Sequence, residues 1–105
     1  MNTLIVPPRR LEALFNELVG NWKQETRLLS STTAIATHPA YQRIIGLGPQ
    51  AVPLILAEMK REPGHWFWAL TAITGENPVS STDQGRIPAM TDTWLKWGRE
   101  NGWIE

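Results

Sequence analysis

Apolar residues recur at helical spacing along most of the chain, and prolines and glycines cut that pattern into separate segments. Leu11, Leu14, Phe15, Leu18, Trp22 and Leu29 share one stripe of a first helix expected over 8–29. Pro8 suits its first position, where a missing N–H costs nothing. Gly20 is its weak point, about 1 kcal/mol worse than alanine in a helix interior. The run "SSTTAIATHP" is rich in turn and cap formers and reads as a connection.

Four further helices follow. "HPAYQRIIGLG" predicts one over 39–46, started by Pro39 and stopped by Gly46 or Gly48. Val52, Ile55, Leu56 and Met59 fall at i, i+3, i+4 and i+7 of a helix over 50–61. Pro53 is tolerable there only in the first turn. A helix over 65–74 closes on Gly75, a left-handed cap. After the aperiodic loop "ENPVSSTDQGRIP", Met90, Trp94 and Trp97 align on a last helix over 88–101, with Gly102 as its stop. No strand pattern stands out, although "TLIV" near the start could form a short extended arm within residues 1–7. The expectation is an all-α, single compact domain of four to five helices.

Six tryptophans are a heavy load for 105 residues, since each has about 200 Å² or more to bury. In "PGHWFWAL", Trp66 shares a helix face with Ala69, Leu70 and Ile73, Phe67 flanks it, and Trp68 points elsewhere. Trp22, Trp66 and Trp94 are expected in the core. Trp68, Trp97 and Trp103 exceed what one small core readily houses, so they are the candidate interaction surface.

The remaining composition narrows the function classes. Ten basic and ten acidic residues give no net charge, so the broad positive field behind non-specific nucleic-acid binding is missing. The absence of cysteine rules out disulfides, thiolate nucleophiles and cysteine-ligated zinc. No apolar run approaches the roughly 20 residues that span a bilayer, and the first residues do not have the form of a secretory signal. A cytoplasmic protein is expected.

Catalytic motifs are missing as well. His38 and His65 form no metal-binding pair, and each stands at a helix start where capping explains it. Glu58, Glu62 and Glu76 read as solvated residues at helix ends. "GLGPQ" places proline where a phosphate loop needs a backbone amide, and no Gly-Lys-Ser/Thr follows. No enzyme activity, metal, cofactor or small-molecule ligand is inferred.

The run "IIGLGPQAVPLILAEMK…WFWALTAITGENPV" (44–79) resembles a junction between HEAT-like helical units. The match rests on Gly48, Ala51, Val52, Pro53, Leu54, Ile55, Leu70, Ile73 and Gly75. The resemblance implies an antiparallel helix pair at the centre of the fold. It covers about a third of the chain, fewer than the three repeats a solenoid needs. The turn "REPGH" also has no aspartate of the kind such repeats place between helices. The core "HPAYQRIIGLG…WFWALTAITGENPV" further resembles small bacterial and phage-type proteins, which implies a bacterial cytoplasmic setting and supplies no activity.

The functional expectation is a non-enzymatic protein-interaction module with a protein partner or self-association. A small regulatory or antitoxin-like partner is one form of it. The alternative is a DNA-binding regulator using a helix-turn-helix-like pair at 39–61. Against that alternative, its reading helix would present one Gln and no Arg in the first turns.

Overall fold

The computed structural model describes residues 8–105, and the expected arm at 1–7 lies outside them. In chain order the elements are α1 (Pro8–Thr26), α2 (Thr32–Ala36), α3 (Pro39–Gly46), a 3₁₀ turn (Gly48–Ala51), α4 (Val52–Arg61), α5 (Phe67–Thr74) and α6 (Ile87–Glu100). There is no strand among the described residues. The expected all-α single domain is what forms.

One apolar cluster joins every helix. Phe15, Leu18, Trp22, Tyr41, Ile44, Ile55, Leu56, Leu70 and Trp94 are all buried within it. α1 lies mainly along α3, α3 also carries α5, and α4 has α6 as its main neighbour. Ile73, expected in the core with Ile55, Leu56 and Leu70, is only half-buried against it.

Two expectations need correction. The first helix ends at Thr26, three residues early, and Leu29 is 46% exposed while Leu28 is 89% exposed. The Thr26 hydroxyl donates back to the Trp22 carbonyl at 2.6 Å, and the chain then turns. The turn brings the Ile35 carbonyl to the Trp22 indole N–H, which donates to it at 2.8 Å. The segment read as a plain connection also contains α2. Ser31 caps that helix by accepting from the Ala34 N–H, and Ile35 and Ala36 are buried.

Other ends follow the residues that mark them. Pro53 falls in the first turn of α4, preceded by the 3₁₀ turn. Gly75 adopts φ +74° at the end of α5. Gly102 (φ +77°) closes α6 in a Schellman motif, with Trp103 N–H donating to the Gly98 carbonyl at 2.8 Å. That motif turns Ile104 back onto Gly98 and so onto the α4–α6 contact.

Candidate functional site

α5 decides how the aromatic surplus is divided. Successive residues of a helix are separated by about 100°, so two neighbours of one inward residue cannot both point inward. Trp66, Ala69 and Leu70 are wholly buried, Phe67 is half-buried, and Trp68 is 45% exposed. The inward rings form a cluster. Trp66 lies 4.6 Å from Trp22 between ring centroids, 5.9 Å from Tyr41 and 6.0 Å from Phe15.

Tyr41 also solves a local problem of α5. No side chain at Trp66 caps the helix. Instead the Tyr41 hydroxyl accepts from the Ala69 N–H at 2.9 Å and donates to the His65 carbonyl at 2.9 Å. Burial pushes the phenol far above its ordinary range against the pull of the Ala69 bond, so it stays a neutral bridge. This bridge fixes the rotation of α5 and therefore the outward direction of Trp68. Nothing in the sequence pattern pairs Tyr41 with Ala69.

Trp68 stands between two open grooves of about 310 and 430 Å³, both bordered by Phe67 and Met90. The first is completed by Thr32, Ala36 and Ile87, with His65 at its edge; the second by Thr71, Asn77 and Gln84. Neither holds a lysine, arginine, aspartate or glutamate. Asn77 Oδ1 accepts from the Val79 N–H at 3.2 Å, which leaves its NH₂ for other use. The Trp22 and Trp97 indoles donate to protein acceptors. Those of Trp66 and Trp94 are buried without a partner among the described residues.

The other two candidate surface tryptophans lie elsewhere. Trp97 is only 7% exposed, and its indole N–H donates to Glu76 Oε1 at 3.3 Å. Half-buried Trp103 stacks on it at 6.3 Å. Together they border a shallow recess of about 220 Å³ with Ile73 and Val52, separate from the Trp68 grooves. The three are not one surface: Trp68 is presented outward, whereas Trp97 and Trp103 close the end of α6 over the α5–α6 loop.

Several charged groups form structural pairs. Lys23 of α1 bonds to Glu58 and Glu62, and Arg61 Nη2 reaches Glu58 Oε2 at 2.6 Å. Glu58, expected to be solvated, has a side chain only 10% exposed. Its burial would raise its pKa, but the hydrogen bonds from Arg61 and Lys23 prevail and lower it. Burial likewise opposes the charge on Lys23, and the bonds to Glu58 and Glu62 raise its pKa nonetheless. A general acid or base needs the opposite displacement, toward neutrality. His38 caps α3, with Nδ1 accepting from the Ala40 N–H at 3.1 Å and Nε2 2.6 Å from Glu25 Oε1.

No cluster of three or more His, Asp or Glu is arranged for a metal among the described residues. No helix there is long and apolar enough to cross a membrane. Comparison with family models, with curated proteins and with solved structures gave no match to this chain.

Proposed function

We propose that this chain is a non-enzymatic protein-interaction module whose contact surface centres on Trp68. The observation that supports it is a large aromatic ring held half in water on a braced helix, flanked by two uncharged grooves. Exposed tryptophan beside apolar hollows is the usual composition of an interface hot spot. Charged side chains, by contrast, are engaged in pairs or spread over several helices. A scaffold of this kind also accords with the HEAT-like resemblance of 44–79, and a small regulatory or antitoxin-like partner is one form of it. Nothing favours the DNA-reading alternative: the first two turns of α4 offer Leu54 and Ala57 and no cation, its exposed Lys60 and Arg61 stand only in the last turn, and Arg61 is tied to Glu58.

The test compares wild type with Trp68→Ala in capture from source cells, with and without nuclease. Wild type is expected to retain specific proteins whatever the nuclease treatment, and Trp68→Ala to release them. Folding should survive, with a loss of about 1–2 kcal/mol against the 3–5 kcal/mol of a buried tryptophan. Nuclease-sensitive nucleic acid as the retained material, or identical capture by the variant, would overturn the reading.

A further inference from the structure

We propose that the recess between Glu76, Trp97 and Trp103 binds an organic cation, a trimethylammonium head group. The site is separate from the Trp68 grooves and does not depend on the interaction reading above. Charge gives the first argument. Among the described residues Glu76 is the one charged side chain that borders the recess, with no lysine or arginine beside it. It forms no ion pair among them either. The carboxylate is nonetheless held: its Oε1 accepts from the Trp97 indole N–H at 3.3 Å, and the Glu76 backbone N–H donates to Thr74 Oγ1 at 3.1 Å. A fixed carboxylate with no counter-charge attracts a cation and repels an anion.

The walls give the second. Pro49, Val52 and Ile73 are apolar, and the two indole rings complete the lining. Aromatic rings attract cations through their quadrupole, tryptophan most strongly. Trp97 is 7% exposed and Trp103 half-buried, so Trp103 is the ring a ligand chiefly meets. The Schellman turn and the stacking on Trp97, at 6.3 Å and 18°, hold that ring in place before any ligand arrives.

Hydrogen-bonding capacity selects the kind of cation. The Thr74 hydroxyl donates to the Leu70 carbonyl at 2.7 Å and accepts from Glu76, which leaves the carboxylate as the principal open acceptor. A primary ammonium brings three N–H donors and a guanidinium five. Against apolar walls most of these would lose water without gaining a partner. A trimethylammonium group brings none, spreads its charge over its methyl groups and packs them on the walls. Size agrees with a head group: about 220 Å³ cannot admit a helix, which is about 10 Å across.

The experiment titrates the full chain with choline, with ethanolamine and with the uncharged isostere of choline in which carbon replaces the ammonium nitrogen. Two-dimensional amide and indole NMR follows the binding. Choline is expected to saturate at about millimolar affinity, with shifts confined to the Trp97 and Trp103 indoles and to residues around Glu76. The isostere and ethanolamine should each bind at least about threefold more weakly. Glu76→Gln keeps an oxygen to accept from Trp97 and removes the charge. It should weaken choline about three- to fivefold and leave the isostere unchanged. Trp103→Ala should weaken choline about tenfold, and Trp68→Ala should have no effect. A trimethyllysine peptide titrated beside choline separates the two sources of this head group, a protein side chain and a free small molecule. Tighter binding of either one supports the site and identifies its source. Failure of both to saturate, equal binding of the isostere or of ethanolamine, undiminished choline binding by Glu76→Gln, or shifts elsewhere would each overturn the proposal. The interaction reading stands apart from these outcomes, since it is decided by Trp68→Ala in the capture experiment.

Discussion

At the scale of single residues, two helical glycines make opposite demands. Gly20 is exposed in the middle of α1, and a methyl group there would meet nothing within 4 Å. Gly20→Ala should therefore stabilise the fold by about 0.5–1 kcal/mol. At Gly98 the same methyl would come 2.6 Å from Leu56 Cδ1 and 3.3 Å from Ile104 Cγ1. Leu56 is wholly buried and can yield little. Overpacking, at about 1–3 kcal/mol, outweighs the helix gain of about 1 kcal/mol, so Gly98→Ala should lower stability by up to about 2 kcal/mol. Urea unfolding of both variants checks the pair: similar shifts of one sign would show that α6 does not approach α4 through Gly98.

At the scale of elements, two connections hold helices in register. Tyr41 joins α3 to α5, and Tyr41→Phe keeps the ring but deprives the Ala69 N–H and the His65 carbonyl of their partner. Leaving such groups unsatisfied costs about 1–3 kcal/mol. The Ala69 amide should exchange faster in the variant, and unchanged exchange would mean that another group caps α5. The second connection is Lys23 of α1 against Glu58 and Glu62 of α4. Because the Glu58 pKa is lowered below its ordinary 4.5, the unfolded chain takes up the proton first as pH falls. The stabilisation is present above about pH 4.5 and disappears as the pH drops through the folded value. Lys23, raised above 10.5, has the mirror dependence and loses its contribution only at high pH. Glu58→Gln should thus flatten the fall in stability between neutral and acid pH, measured by urea unfolding across that range. An unaltered slope would assign acid sensitivity to other carboxylates.

At the scale of the whole molecule, a single cluster links all the helices, so no part has a core of its own. Unfolding should be one cooperative transition, with far-ultraviolet ellipticity and tryptophan emission coinciding. Separate midpoints would indicate a subdomain. Truncating Ile55 or Leu70 to alanine, each wholly buried, should cost about 2–5 kcal/mol. For a chain near this size, each kcal/mol displaces Tm by about 4–8 °C. A loss below about 1 kcal/mol would remove that residue from the tightly packed core.

The sequence by itself determined the fold class and most helix limits, because apolar period and punctuation by proline and glycine are local properties. Pro39, Pro53, Gly75 and Gly102 mark ends through their own backbone geometry, whatever surrounds them. It also singled out Trp68 as the aromatic misaligned with its helix's inward face. Tertiary structure alone decided the rest. α2 has too few residues for a period to be seen, and it exists because Ser31 caps it and Ile35 and Ala36 find a core to enter. Leu29 fitted the stripe of α1, yet the helix stops before it as the chain turns to bring Ile35 to Trp22. Trp97 and Trp103 looked surplus because the sequence does not show that a Schellman turn folds one ring over the other. Glu58 looked solvated because its partner Lys23 is 35 residues away. Pairings between distant residues depend on how helices rotate against one another, and no local pattern encodes that rotation.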